Sequence, residues 1–377
     1  MSRVTLVTGF PTSFLAVRMV RKVLLEDRTA EVCCVVQERF LEKARGILAE
    51  LPGSERARVR LLEGDVAAMD LGLTGREFTE LAASVDVIHH CAAATYFGVS
   101  REIALRVNVD GVNEILELAR EATHLERLVH WSSALVSGAR RGYVLEEELA
   151  APEGFRNVVE ETRFEAERRV RKAMSRGLRA TILRPSIGVG DSVTGEIDRF
   201  EGPYLLVLLM LSSPPDFRMP LPGRGDVPLH LVPIDHAVDA GWAIARDPRS
   251  LGRTFHIVDP APLPVRRVFE LIARSVGRPL PRGSLPTNLA TAVLRTPGLE
   301  RFANVPRAFL EQLATEVVYD DRATREFLEP LGLQCPTFES YVDVMVQYVR
   351  QQQSHRQRRP EAEGRGRSDD EPLDPLQ

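Results

Sequence analysis

Short apolar runs alternate with amphipathic segments through the first half of this chain, and that alternation leaves few folds open. Val4–Thr8 is a β-branched run that ends at Gly9. Phe14, Val17, Val20 and Leu24 then recur at helical spacing. Further strand-like segments follow at Val32–Val36, Val59–Leu62, Val85–His89, Leu128–Trp131 and Ala180–Leu183. Between them the pattern predicts helices from about Phe40 to Leu51 and from Glu77 to Ser84. A third helix is marked by Leu105, Val109, Val112, Leu116 and Ala119, which step by four and three. A near-continuous apolar strand is one buried on both faces, as in a parallel sheet. The expected fold class is therefore α/β: a Rossmann-type doubly wound parallel sheet over residues 1–190, with a smaller C-terminal substrate lobe.

The pattern changes after Gly190. Pro203, Pro214, Pro215, Pro220, Pro222 and Pro228 break the chain into short pieces. Residues 191–350 are expected to form a mixed α/β substrate lobe, with some segments returning to the core sheet. Within it Thr254–Val258 reads as a strand, and helices are expected over about Val265–Ser275, Val305–Ala314 and Tyr341–Arg350. The run Tyr204–Leu211 is too short to span a bilayer. It reads first as a buried lobe helix, and otherwise as an acyl-tunnel wall or a segment that dips into a membrane surface. From about Gln352 the chain is Gln/Arg-rich and then acidic, so residues 351–377 are expected to be a disordered tail.

Composition excludes several classes. A net charge of -4 offers no electrostatic case for nucleic acid. The four cysteines (Cys33, Cys34, Cys91, Cys335) lack metal-ligand spacing, so no metal site is expected. They read as reduced thiols of a cytoplasmic protein. The chain opens on strand-like residues, so no leader is expected ahead of the fold. Arginines far outnumber the three lysines, Lys22, Lys43 and Lys172. An Arg standing where Lys is expected therefore partly reflects composition.

A dinucleotide site uses glycines at the first strand-to-helix turn, where backbone N–H groups meet the pyrophosphate. Here the turn reads Thr8-Gly9-Phe10-Pro11-Thr12-Ser13-Phe14-Leu15-Ala16. Gly9 is kept, while small Ser13 and Ala16 replace glycines. Gly9, Pro11, Ser13 and Phe14 are the candidate phosphate contacts, with Thr12 or Ser13 capping the helix. The alternative is an ordinary turn that binds nothing. After the second strand, Arg39 can reach a ribose 2′-phosphate, which favours NADP over NAD; otherwise it is a solvated charge beside Glu38.

Six segments together resemble the extended short-chain dehydrogenase/reductase superfamily, which includes epimerase/dehydratase-like proteins, over roughly residues 3–350. Gly64-Asp65-Val66 resembles its adenine-contacting turn. Asp86-Val87-Ile88-His89-His90-Cys91-Ala92-Ala93 resembles its cofactor-facing fourth strand, and Asn108-Val109-Asp110-Gly111 its N-V-x-G element. Trp131-Ser132-Ser133-Ala134 resembles the strand end bearing the catalytic Ser, here Ser133. Leu183-Arg184-Pro185-Ser186 resembles the segment beside the nicotinamide, and Val232-Pro233-Ile234-Asp235 a late V-x-x-D element. The branch it looks most like is that of fatty acyl-CoA and thioester reductases. The resemblance implies NADP or NAD as cofactor and an acyl or other lipid-like substrate. It places Asp65, Val66, Ala92, Ala93, Arg163 and Pro185 beside the cofactor, and implies a possible homodimer through helices near Arg101–Glu121 and Val159–Ser175.

The departures sit at the chemistry. The family places a Tyr and a Lys four apart on one helix face, where the cation lowers the phenol's pKa. Here those positions hold Val159 and Arg163, and only Ser133 remains of the trio. Valine carries no proton, and the planar guanidinium is a different group from an ammonium. His90, Cys91 and Tyr96 are alternative proton donors, with structural roles as the plainer reading for His90 and Cys91. His89, Trp131 and Trp242 read as packing residues. Three functions follow: a reductase with an improvised donor, a cofactor-sensing protein without turnover, or a scaffold.

Overall fold

A computed structural model describes residues 2–96, 98–222, 224–285, 313 and 316–358. Seven strands form the central sheet: β1 (Val4–Thr8), β2 (Glu31–Val36), β3 (Val59–Glu63), β4 (Val85–His90), β5 (Arg127–Trp131), β6 (Ala180–Pro185) and β7 (Thr254–Ile257). Their order is β3-β2-β1-β4-β5-β6-β7, and every neighbouring pair is parallel. The order reverses between β1 and β4, which opens a crevice at their C-terminal ends.

Apolar side chains on both faces of the strands require helices on both sides. On one side lie α1 (Phe14–Glu26), α2 (Leu41–Ala49) and α7 (Ile234–Arg246). On the other lie α3 (Gly75–Ser84), α4 (Gly111–Glu121) and α5 (Val158–Met174). The helix before α4 starts at Arg101–Leu105 and passes through a π-helical stretch, Arg106–Asp110.

The lobe has its own core. In it α6 (Pro203–Ser212) packs with α8 (Val265–Val276) and α10 (Phe338–Arg358). Six residues of α6 are buried, so the Tyr204–Leu211 run is a buried lobe helix. Three segments beyond Gly190 return to the core: α7, strand β7, which extends the sheet beside β6, and α9 (Arg322–Leu328), whose Phe327 and Leu328 join the first core. Helix α10 continues to Arg358, past the point where the sequence becomes Gln/Arg-rich. Apart from Leu313, the helix expected over Val305–Ala314 lies outside the described residues, as does the tail beyond residue 358. No helix among the described residues is long and apolar enough to cross a membrane.

Candidate active site

The turn after β1 is set by Gly9. Its φ of +89° and its closeness to the loop after β4 both require glycine, since a Cβ there would sit 2.9 Å from the Ala92 nitrogen. Ser13 caps α1, its Oγ accepting from the Ala16 amide at 3.3 Å. The Thr12 and Ser13 amides donate to the Gly9 carbonyl. Phe14 and Leu15 supply the next amides, which have no acceptor within the helix. Ala16 is fully buried, so its methyl fills core where a glycine would leave room. The turn thus presents a positive helix end at the crevice despite its missing glycines.

Asp65 lies after β3. Its carboxylate accepts from the Ala67 amide at 3.0 Å and pairs with Arg106. Val66 is half-buried beside it. Arg39 is exposed, its Nε donating to Gln37 Oε1 at 2.9 Å and its guanidinium lying over Phe40.

A cavity of about 370 Å³ opens at the crevice, between core and lobe. Its wall brings together Ser13, Phe14, Ala93, Ser133, Arg163 and Pro185 from the sequence-derived set. Gly9 and Ala92 stand just behind that wall, in mutual contact. Pro11, Asp65, Val66 and Arg39 are not part of it.

The two serines after β5 have different duties. Ser132 is buried and donates to Glu167 at 2.6 Å. Ser133 is half-buried, accepts from the Leu135 amide at 3.2 Å, and donates only at 3.5 Å to the Pro185 carbonyl. Its proton is weakly engaged and can turn to a substrate oxygen. Arg163 is held by Nη2 donating to the Trp131 carbonyl at 2.6 Å. Burial lowers its pKa to about 10, against the opposing pull of Glu167 and Cys91, so it remains a cation at neutral pH. Val159 lies on the same wall, in an apolar cluster with Ala94, Val99 and Tyr96.

Behind this wall the helix face is pinned by a buried ion network. Glu167 receives Arg184 Nε at 2.9 Å and Nη2 at 2.6 Å, with Arg171 and Ser132. Burial raises the Glu167 pKa, but the two arginines and Ser132 outweigh it and hold it at about 2. Asn108, in the π-helical stretch, accepts from the Ala94 amide at 2.7 Å and donates to Thr162 Oγ1 at 2.9 Å. It thereby fixes the β4 loop to α5.

The alternative donors differ in placement. His90 is buried, stacks on His130 at 5.6 Å and bonds Thr8 Oγ1 through Nδ1. Burial, the neighbouring His130 and Arg163 keep it neutral. It is absent from the cavity wall, so the structural role fits it. Cys91 is on the wall, where burial pushes its thiol well up and keeps it protonated. Tyr96 is also on the wall, but its hydroxyl is buried. His89 is buried and Trp242 packs against the core, as packing residues do, whereas Trp131 is buried and also lines the cavity.

The cavity also exposes residues the sequence did not single out. Asp198, Arg199 and Glu201 line it from the segment leading into α6, and Glu160 from α5. Their only sequence signal is Glu201-Gly202-Pro203, an acid just ahead of a Gly-Pro helix start.

The fold and crevice define a member of the extended short-chain dehydrogenase/reductase class. The family model described as Male sterility protein, an NAD-binding family, matches residues 7–241, and the chain belongs to that family. It is 27% identical over 244 residues to the fatty acyl-CoA reductase wat of Drosophila melanogaster, across 56% of this chain and 46% of that protein. It is 28% identical over 282 residues to the glycine betaine reductase ATRR of Emericella nidulans, across 70% of this chain and 21% of that one. The chain thus spans less than half the length of either relative. The terminal R domain from the myxalamid PKS-NRPS biosynthetic pathway shares its fold, with a TM-score of 0.79 at 24% identity over 93% of this chain and 91% of that one.

Proposed function

We propose that this chain is an NAD(P)H-dependent reductase of acyl thioesters or related lipid-like carbonyls, working with an atypical active site. The observation that carries this reading is the single cavity that joins the α1 N-terminus to Ser133, Arg163 and Pro185. The residues suit a nicotinamide cofactor: Gly9 leaves a cradle only glycine permits, and Ser186 Oγ and Arg163 Nε are buried on the wall without partners among the described residues. Gly9, Pro11, Ser13 and Phe14 would hold the pyrophosphate, and Asp65 and Val66 the adenine. Ala92, Ala93, Arg163 and Pro185 would hold the nicotinamide end, and Arg39 favours NADP. Bound there, the cofactor supplies a hydride. Ser133 orients the substrate carbonyl, and the Arg163 cation steadies negative charge that develops on its oxygen.

The apolar wall residues Val99, Leu135, Val136 and Val158 suit an acyl chain rather than a sugar. A cytoplasmic setting is supported by the four free cysteines. A homodimer would form through the helices near Arg101–Glu121 and Val159–Ser175. Val159 favours a second reading, in which the cofactor is bound and sensed without turnover.

Titration with NADPH and NADH, followed by nicotinamide fluorescence, tests the first step. Saturable binding followed by acyl-CoA-dependent NAD(P)H oxidation supports the reductase. Binding without turnover on acyl-CoA or aldehyde leaves the sensor. No binding of either cofactor refutes both.

A further inference from the structure

This inference rests on the reductase reading and concerns the proton that position 159 cannot supply. The wall carries few groups able to give up a proton readily near neutral pH. Arg163 is a permanent cation, the Tyr96 hydroxyl is buried, and the Cys91 thiol holds its proton too tightly to give it up readily. Glu160 is buried against Arg156, its Oε1 receiving Arg156 Nε at 2.8 Å and its Oε2 the Arg156 amide at 3.0 Å. Asp198, also on the wall, is exposed to solvent. Glu201 is different. It is half-buried on the lobe side of the cavity and, among the described residues, makes no ion pair.

Its backbone is fixed. The Glu201 amide donates to the Arg199 carbonyl at 3.0 Å, and the Tyr204 amide donates to the Glu201 carbonyl at 3.1 Å. Gly202, at φ +54°, turns the chain, and Pro203 begins α6. This corner leaves Glu201 at the cavity instead of inside the helix. Tyr204 Oη donates to the Gly195 carbonyl at 2.8 Å and anchors the same segment.

We propose that Glu201 donates the proton to the substrate oxygen, replacing the phenol that Val159 lacks. The carbonyl carbon gains a hydride from NAD(P)H, and the C=O π pair moves to oxygen. The Glu201 O–H bond breaks, its proton joins that oxygen, and a carboxylate remains. The thioester is thereby reduced to a hemithioacetal at the expense of NAD(P)H; its C–S bond then breaks, the hydroxyl proton leaves with sulfur as the thiol, and an aldehyde remains. Solvent then reprotonates Glu201.

The charged setting suits this step. Burial pushes Glu201 up to about 7, with Arg199 opposing and Asp198 adding to the rise. The other titratable groups on the wall are Glu160, Arg163, Cys91 and Tyr96. The donor form is therefore present below about pH 7 and lost above it.

The test is steady-state NAD(P)H oxidation on an acyl-CoA from pH 5 to 9, in wild type, Glu201→Gln, Glu201→Asp and Tyr96→Phe. Cofactor affinity and circular dichroism report on folding. The expected result is a wild-type kcat that falls above about pH 7. Glu201→Gln should lower kcat by ~10²–10⁴-fold and lose that limb, with cofactor affinity unchanged. Glu201→Asp should keep part of the rate. A Glu201→Gln protein within about threefold of wild type, with the limb intact, overturns the proposal and leaves the reductase reading standing. So does loss of turnover in Tyr96→Phe with Glu201→Gln unaffected. A wild type that binds cofactor but never oxidises it on acyl-CoA or aldehyde sinks the reductase reading itself.

Discussion

Gly9→Ala is the sharpest test of the cofactor turn. The added methyl would sit 2.9 Å from the Ala92 nitrogen and 3.0 Å from both the Ala92 Cα and the Cys91 carbonyl carbon. All three are backbone atoms of the loop after β4, so no side chain can swing aside. The φ of +89° adds roughly 1–2 kcal/mol of backbone strain for an L-residue. Overpacking against fixed atoms adds about 1–3 kcal/mol. The relief available is to push the β1 turn away from the β4 loop, which displaces the α1 amides of Phe14 and Leu15. We expect Tm to fall by roughly 5 °C or more. NAD(P)H affinity should fall at least ~10-fold, equivalent to about 1.4 kcal/mol of lost binding. Differential scanning fluorimetry and the fluorescence titration read the two effects. A Gly9→Ala protein that melts and binds like wild type would show that the turn neither touches Ala92 closely nor holds the pyrophosphate.

Three further outcomes are expected. Glu167→Ala leaves Arg184 buried without its carboxylate and should destabilise the protein by about 3–5 kcal/mol in urea unfolding; a loss below 1 kcal/mol would refute the network's role. The Glu167 pKa is depressed to about 2 from an ordinary 4.5, so its contribution is full above about pH 4.5 and is lost as pH falls toward 2; acid titration of wild type against Glu167→Gln should show that loss only in wild type. Ser133→Ala should lower kcat on acyl-CoA by at least ~10-fold with cofactor affinity unchanged, because both serines line the cavity but only the Ser133 hydroxyl is weakly engaged, Ser132 being committed to Glu167; an unchanged kcat would remove Ser133 from the chemistry.

Much of the fold could be read because parallel strands carry a local signature. β1 to β6 each lie within about two residues of an apolar run, since burial on both faces demands one. Other features were less legible. The π-helical stretch Arg106–Asp110 interrupts a helix whose apolar spacing runs straight through it. Its reason is long-range: Asn108 must turn inward to bond Ala94 and Thr162. The capping role of Ser13 could be read as one of two choices, because capping depends on residues three positions away. Arg184 shows the opposite case. Its neighbour Pro185 lines the cavity, yet Arg184 turns into the buried network with Glu167 and the Glu146 and Glu148 carbonyls. Alternation along a strand puts adjacent side chains on opposite faces, so one motif can serve two compartments.

The same separation explains how the chemical positions can change while the frame stays whole. Along α5, Val159, Arg163, Glu167 and Arg171 follow one another at intervals of four and so lie along one face. The first two meet the cavity, and the last two meet the buried Arg184 network. Replacing the uncharged Val159 leaves the ion pairs beneath it in place. Val159 is absorbed by the apolar cluster of Ala94, Val99 and Tyr96, and Arg163 keeps a backbone anchor at Trp131. Position 159 is therefore free to lose its proton without loss of fold, provided another element faces the same cavity. The lobe offers such an element in Glu201, which lines the same cavity. Restoring Val159→Tyr together with Arg163→Lys in a Glu201→Gln background tests this division. A kcat that recovers at least ~10-fold would show that donor and frame are separable. A variant that folds and binds cofactor yet stays inactive would mean that the lobe side does more than carry a proton.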